Sequence, residues 1–143
     1  MGLKYIKEAN YLLENEDYVD TSVDIINATP HPINLKIGEK EIVFPKSEFL
    51  ARVESTSKRV SDIVVDTDGT KDITVDLFEY TYGSINGLPK EKNGVYYIVS
   101  AMVLSANKES KNPRKDLISP DTNPNGGAIR DGGMIKAITR FCV

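Results

Sequence analysis

The chain has 143 residues, a net charge of −3 at neutral pH, 40% hydrophobic residues and 27% charged residues. These values are typical of one globular domain with a core of its own. They exclude a strongly basic protein, and with it the usual class of duplex-DNA binders, whose affinity depends on neutralising phosphates. A small anionic ligand remains compatible with the charge, because it needs only a few local cations.

The first predicted element is an amphipathic helix. In the stretch LKYIKEANYLLEN, residues 3–15, apolar side chains repeat at helical spacing and charged ones lie opposite. We predict that residues 1–23 form a helical extension, which docks either on the sheet of its own chain or on a second copy. Residues 24–143 are predicted to form a β-rich ligand-binding domain.

Short apolar runs from residue 24 onward predict β-strands joined by tight turns. GEK and TDGT are typical hairpin turns. The run VYYIVS, residues 95–100, is apolar and aromatic and predicts a buried strand with Tyr97 in the core. A helix is expected to begin near Ser100, with this serine as its N-cap.

The last third of the chain is predicted to contain a long loop and a hairpin. Residues 107–127 hold few apolar side chains and many turn-forming residues, which is typical of a loop without regular structure. Two strand-like runs then flank the turn DGG. The predicted fold class is therefore α+β, with a single antiparallel β-rich domain, an N-terminal amphipathic helix and a short internal helix.

The sequence also predicts a compartment. No stretch reaches the roughly 18 apolar residues of a membrane span, and the N-terminus does not resemble a secretion or myristoylation signal. The single cysteine, Cys142, has no partner for an internal disulfide. These features predict a protein of a reducing cytoplasm that does not contact membranes.

Residues 28–37, ATPHPINLKI, place the only histidine of the chain between two prolines. Pro30 and Pro32 fix their own φ angles and cannot donate to a sheet ladder, so the stretch belongs at a strand end. We interpret His31 as part of a turn and not as a catalytic group. The stretch DTDGT lacks the remaining ligands of a calcium loop. No catalytic residue, metal site or cofactor is predicted.

The stretch NPNGGAIRDGG contains no phosphate-binding loop motif, yet it combines glycines with Arg130 and lies near Arg114. Backbone amides and guanidinium groups can together hold a phosphate, and a plain surface hairpin is the alternative interpretation. Arg52 lies between apolar residues, where it faces solvent, pairs with a carboxylate or faces a ligand. Tyr80 and Tyr82 share a strand face and either stack on a base or fill core volume.

Five segments in order carry a resemblance to known proteins: INATPHPINL, FLARV, TYGSINGLP, VYYIVSAMVLSA and RKDLISPDTNPNGGAIRDGGMIKAITRF. Together they resemble a group of small phage and bacterial proteins that share a TPHPI start, a YIVS-type segment and a late IRD-type turn. This group includes the first family of Thoeris anti-defence proteins. Its members are phage sponges that bind cyclic ADP-ribose isomers made by bacterial TIR-domain enzymes. Some also hold cyclic oligonucleotides of CBASS immunity.

The resemblance implies a β-rich protein that acts in the host cytoplasm as a dimer or a trimer of dimers. It implies no catalysis and no contact with DNA. The region after VSAMVL meets the nucleotide in the family, which stacks an aromatic ring on adenine there. This sequence has no aromatic residue at that point. Either an apolar side chain packs on the base there, or Tyr80 or Tyr82 supplies the ring. The implied ligand-binding residues are Arg52, Tyr82, Leu104, Asn107, Asn112, Arg114, Arg130 and Asp131.

The expected mechanism is sequestration of the ligand in a site between protomers, with residues 107–127 closing over it. Two alternatives remain. An enzyme that degrades a nucleotide, such as a phosphodiesterase, would need a base or a metal site. A structural or protein-interaction protein of a phage would bind no small molecule.

Overall fold

The computed structural model describes residues 23–69 and 73–143. The predicted N-terminal helix lies outside the described residues. The described residues form ten strands and one helix, α1. The elements are β1 (Asp24–Asn27), β2 (Ile33–Ile37), β3 (Lys40–Phe44), β4 (Arg52–Val65), β5 (Ile73–Asn86), β6 (Val95–Ile98), α1 (Ala101–Glu109), β7 (Leu117–Pro120), β8 (Ile129–Asp131), β9 (Met134–Ala137) and β10 (Phe141–Cys142). The prediction of a β-rich fold with a short internal helix is confirmed.

The centre of the molecule is a mixed four-stranded sheet in the order β1-β6-β7-β10. Strand β6 pairs in parallel with β1 and with β7, and only β7 and β10 are antiparallel. The prediction of an antiparallel domain is therefore wrong for this sheet. The physical reason is that β6 and β7 are joined through α1, a crossover that returns the chain in the same direction.

Three antiparallel hairpins surround this sheet: β2–β3, β4–β5 and β8–β9. The β2–β3 and β8–β9 hairpins turn at the GEK and DGG stretches, so these two turn predictions are confirmed. The predicted TDGT turn lies partly outside the described residues. Gly38 and Gly132 have φ angles of 59° and 63°, the left-handed region in which glycine carries no steric penalty.

Residues 107–127 are not the loop that the sequence predicts. They include the end of α1 and the whole of β7, in which Leu117, Ile118 and Ser119 are buried. A four-residue strand that is covered on both faces shows no alternation, so its composition resembles that of a loop. Because β7 lies inside the central sheet, this segment cannot close as one flap over a ligand.

Two apolar clusters pack on opposite faces of the sheet, because neighbouring residues of a strand point to opposite sides. On one face Ile26, Tyr97 and Leu117 pack with Val103 and Leu104 of α1. On the other face Ile25, Ile98 and Ile118 pack with Phe44 of β3. Tyr97 is 2% exposed, which confirms its predicted place in the core.

Helix α1 begins as predicted. Ser100 is its N-cap, and the Ser100 hydroxyl accepts a hydrogen bond from the Val103 N–H at 3.2 Å. Within the part of the chain that is described, no helix is long and apolar enough to cross a membrane.

The β4–β5 hairpin, called the arm below, has two strands of 14 residues each. Val53 and Ile85 at its base pack against the core cluster that contains Tyr97. Beyond this base, the residues of both arm strands are exposed on both faces.

Candidate functional site

Among the described residues, the hydrogen bonds around His31 use its backbone. The His31 carbonyl accepts hydrogen bonds from the Asn27 side-chain amide at 2.7 Å and from the Thr29 hydroxyl at 2.9 Å. The residue itself is exposed. No group of three or more potential metal ligands occurs among residues 23–69 and 73–143. The structure therefore places His31 in a turn.

Asn107 and Arg114 come together after helix α1. The Asn107 side chain donates to the Arg114 carbonyl at 2.8 Å and accepts from the Arg114 backbone N–H at 2.9 Å. The Arg114 guanidinium donates two hydrogen bonds to the Asp116 carboxylate, at 2.9 and 2.7 Å. It also lies 5.7 Å from the centre of the Tyr97 ring. The side chains of Asn107 and Arg114 thus stabilise the turn between α1 and β7. Leu104 is 8% exposed and belongs to the core.

Arg114 and Tyr97 keep their ordinary protonation states at neutral pH. The hydrogen bond to Asp116 raises the pKa of Arg114 above its already high ordinary value. Burial raises the pKa of the Tyr97 hydroxyl, and the Asp116 carboxylate raises it further. Arg114 therefore stays charged and paired with its own carboxylate. Asn112, in the same turn, is exposed.

Two other arginines hold the loop of residues 121–127. The Arg130 Nη2 donates to the Thr122 carbonyl at 2.8 Å. The Arg140 Nε donates to the Asp121 carboxylate at 2.7 Å, and its Nη2 donates to the Asn125 carbonyl at 3.3 Å. Nothing in the sequence signals the Asp121–Arg140 pair, because its members lie 19 residues apart.

Gly126 is required where this loop passes Asp121. A Cβ atom at position 126 would stand 2.4 Å from the Asp121 Oδ1, so no other residue fits beside the carboxylate without a shift. The Asp121 carboxylate also accepts from the Asn123 N–H at 3.2 Å. The hydrogen bonds from Arg140 and Asn123 lower the pKa of Asp121 below its ordinary value.

We expect the stability of the protein to fall in acid partly through Asp121. A carboxylate with a lowered folded-state pKa stabilises the fold above its unfolded-state pKa of about 4, and this stabilisation is lost as the pH falls through the folded-state value. Asp121→Asn should lower the urea midpoint at pH 7 and flatten its dependence on pH below about 4. Asp131→Asn, which removes an exposed partner of Lys136, should leave the midpoint at pH 7 almost unchanged. If the urea midpoint of Asp121→Asn depends on pH below about 4 as that of the wild type does, Asp121 does not contribute to acid destabilisation.

Arg52 and Asp131 lie in exposed positions. Arg52 begins the arm opposite Asn86, and none of the described carboxylates forms an ion pair with it. Asp131 pairs with Lys136 at 3.2 Å across the β8–β9 hairpin. Arg52 and Arg130 are thus the two predicted arginines that have no carboxylate partner among the described residues, whereas Arg114 has one.

A groove of about 290 Å³ runs between the arm and helix α1. Its walls include Tyr80 and Tyr82, which are 63% and 41% exposed, and Glu109 at the end of the helix. Tyr82 was expected from the sequence, but the groove depends on how α1 packs beside the arm. The residues that line it are Tyr80, Thr81, Tyr82, Gly83, Ala106, Glu109 and Ser110, and none of them is a cation.

A second groove, of about 380 Å³, separates the β2–β3 and β8–β9 hairpins. Lys36 and Lys136 line it, each paired with a carboxylate, at 3.9 Å for Glu41 and 3.2 Å for Asp131. The sequence does not indicate this groove, because the two hairpins that form it are far apart in the chain.

Comparison of the chain with protein-family models, with curated proteins and with solved structures finds no match in any of the three.

Proposed function

We propose that the protein binds an anionic nucleotide signal of the cyclic ADP-ribose class, or a related cyclic oligonucleotide, and sequesters it without cleaving it. This is the activity of the phage sponges that the sequence resembles, and it would act against Thoeris or CBASS immunity in the host cytoplasm. The support from the described residues comes from two exposed arginines and one aromatic groove.

The observation that supports the proposal most is that the Arg130 side chain is held in place but is not paired with any described carboxylate. A guanidinium has five N–H donors in a fixed fork. The contact to the Thr122 carbonyl uses one nitrogen, Nη2, and holds the side chain in place. No described carboxylate neutralises Arg130, so its remaining donors are available to a phosphate, which an arginine binds with two parallel hydrogen bonds. Arg52 offers a second charge of the same kind.

The aromatic groove is suited to the base. Tyr80 and Tyr82 present exposed rings there, and stacking of a base on an aromatic ring contributes about 1–3 kcal/mol. The groove itself contains Glu109 and no cation. A nucleotide in this groove therefore needs positive charge from elsewhere, and we assign that charge to Arg52 or Arg130 of a second copy. The site would then lie between protomers.

An interface site also explains how a ligand could be retained. Nanomolar capture requires about 12 kcal/mol of net binding free energy, which one open groove does not provide. Because β7 fixes residues 117–120 in the sheet, retention cannot come from closure of the whole 107–127 segment. Enclosure by two copies replaces that flap in the proposal and would keep dissociation slow.

Calorimetry of the purified protein with a panel of cyclic ADP-ribose isomers and cyclic dinucleotides tests the proposal. We expect tight binding of at least one of them, and release of the same compound, unchanged by mass, after heat denaturation. Recovery of a cleaved product would establish an enzyme instead. Absence of binding across the panel would leave the proposal without support and would favour a protein-interaction role.

Arg130→Ala is expected to weaken capture of that ligand by about 10- to 100-fold, since hydrogen bonds to a charged group contribute about 1.5–3 kcal/mol. The affinity of Arg130→Lys should lie between those of the wild type and Arg130→Ala, because lysine keeps the positive charge but cannot form two parallel hydrogen bonds. Lys36→Ala removes an exposed cation that pairs with Glu41, and should leave the affinity within about twofold. Wild-type affinity in Arg130→Ala would remove Arg130 from the site.

A further inference from the structure

The groove between the arm and helix α1 carries negative charge. Glu109 lines it and is exposed, and an exposed carboxylate is ionised at neutral pH. Lys108 and Lys111 are close to Glu109 in the chain, but neither lines the groove. None of the described lysines and arginines forms an ion pair with Glu109. The charge of this carboxylate is therefore available to a ligand in the groove.

The end of helix α1 adds to this negative charge. The helix ends at Glu109, and Ala106, Glu109 and Ser110 line the groove. The last four carbonyls of a helix have no partner inside it, and together they act as about half a negative charge. Only the Asn107 carbonyl among them is seen to be capped, by the Ser110 N–H at 3.1 Å and the Ser110 hydroxyl at 2.8 Å. This end of the groove therefore attracts a cation and repels a phosphate.

A second carboxylate lies beside the groove. A smaller hollow of about 150 Å³ adjoins it and shares Thr81, Tyr82 and Gly83 with it, and Glu54 lines this hollow. A Cβ atom at position 83 would stand 3.4 Å from the Glu54 Oε2, so the carboxylate lies directly beside Gly83. It accepts one hydrogen bond, from the Asn86 amide at 3.2 Å, and no described cation pairs with it. Tyr82 thus lines two hollows that each contain a carboxylate.

The two tyrosines of the groove supply the surface that a flat cation needs. Tyr80 and Tyr82 are 63% and 41% exposed, and they share one face of the arm because alternate residues of a strand point to the same side. The face of an aromatic ring attracts a cation that lies within about 6 Å of the ring centre. Arg59 belongs to the arm too, but it pairs with carboxylates of the arm and does not line the groove.

The size of the groove and its ligand atoms distinguish an organic cation from a metal ion. Its volume of about 290 Å³ is at the lower end of small-molecule sites and is suited to a single base. A divalent metal ion needs several oxygen ligands at one point. No group of three or more potential metal ligands occurs in the part of the chain that the structure describes.

We propose that this groove binds a planar heteroaromatic cation, with Tyr80 or Tyr82 against its face and the Glu109 carboxylate nearby. A purine alkylated at a ring nitrogen and a pyridinium ring are groups of this kind. The inference rests on the proposed function for the use of the groove as the site of the base. The ligand then carries both charges: its base is positive and meets the groove, and its phosphates meet Arg52 or Arg130. Cyclic nucleotides with an N-alkylated, positively charged base are preferred over isomers with a neutral base.

Calorimetric titration of the full chain with four phosphate-free probes at pH 7 tests this inference. Two of the probes are cations, 1-methyladenosine and 1-methylnicotinamide, and two are their neutral counterparts, adenosine and nicotinamide. Without phosphates, the arginines assigned to the phosphates do not contribute. We expect at least one cation to bind about 3- to 10-fold more tightly than its neutral counterpart, and this preference to shrink in about 1 M salt. The two pairs distinguish a purine from a pyridinium.

Substitutions assign the preference to the groove. Glu109→Gln keeps the size of the side chain and removes its charge, so the preference for the cation should largely disappear, while the affinity for the neutral probe stays within about twofold. The double variant Tyr80→Leu and Tyr82→Leu should weaken both probes at least about fivefold, because the stacking surface is lost. Glu41→Gln is the matched control, because Glu41 lines the other groove and pairs with Lys36. It should leave every affinity unchanged.

Equal affinities for the cationic and the neutral probes overturn the inference, as does a preference for the cation that survives in Glu109→Gln. Absence of binding of all four probes at about 10 mM overturns it as well. These results are separable from a failure of the proposed function. Capture of a cyclic nucleotide without any charge preference among the probes leaves sequestration in place and rejects the cationic base. A charge preference without capture of any cyclic nucleotide retains the groove and rejects sequestration.

Discussion

Gly87→Ala is expected to destabilise the fold strongly. Gly87 follows β5 with a φ angle of 92°, where a side chain is strained. A Cβ atom there would lie 2.0 Å from the Leu50 carbonyl oxygen and 3.0 Å from the Leu50 carbonyl carbon. These are backbone atoms and cannot rotate away. The next residue, Ala51, packs against the core and donates its N–H to the Ala28 carbonyl at 2.9 Å.

We expect a cost of about 4 kcal/mol or more for this substitution, a large part of the 5–15 kcal/mol that holds a domain together. Urea denaturation followed by circular dichroism measures it. Gly94→Ala is the matched control, because Gly94 has a φ angle of 80° and no atom within 4 Å of the Cβ position. It should lose only about 1 kcal/mol, from backbone strain alone. Equal losses in both variants would show that the Leu50 contact is not the cause.

Asn27→Ala is expected to be nearly as damaging. Asn27 is 1% exposed, and its side chain makes four hydrogen bonds. It donates to the His31 and Phe44 carbonyls and accepts from the N–H and hydroxyl of Thr29. Without it, the groups that bond to Asn27 each lose one hydrogen bond. The loss costs about 1–3 kcal/mol for a buried group, so we expect a total of about 3–5 kcal/mol.

Three further variants separate the causes by the same urea measurement. Asn27→Asp keeps the size of the side chain but sets a carboxylate against two carbonyls, and it should also be strongly destabilised. Asn34→Ala loses one exposed hydrogen bond, of 3.2 Å to the Lys136 carbonyl, and should lose less than about 1 kcal/mol. His31→Ala should be neutral because the hydrogen bonds that His31 makes with other described residues use its backbone. If Asn27→Asp is as stable as the wild type, the hydrogen bonds that the Asn27 amide donates to the two carbonyls do not stabilise the fold.

These two positions matter for the candidate site because the arm begins beside them. The Ala51 N–H bonds to the Ala28 carbonyl directly after β1, and the Ser47 hydroxyl bonds to the Asn27 carbonyl at 2.7 Å. Arg52, the first residue of the arm, follows Ala51. The end of β1 therefore sets the position from which the arm and its arginine leave the sheet.

The sequence by itself determined the local features of this protein. These features are the turns at GEK and DGG, the N-cap at Ser100 and the buried ring of Tyr97. Each follows from residues within a few positions of each other. Their chemistry is short-range, since a turn needs glycine or asparagine at particular positions and a cap needs one hydroxyl near one N–H.

Only the tertiary structure decided the parallel pairing of β6 with its neighbours, the burial of β7 and the exposure of the arm. Each depends on segments that are distant in the chain, and a buried four-residue strand carries too little pattern to be recognised alone. The same holds for the candidate site. Asn107, Arg114 and Leu104 turned out to be used within the fold, whereas Arg52 and Arg130 kept exposed guanidinium groups. Which arginine meets a carboxylate is set by packing, because the pairing energy depends on distance and burial and not on the residue type alone.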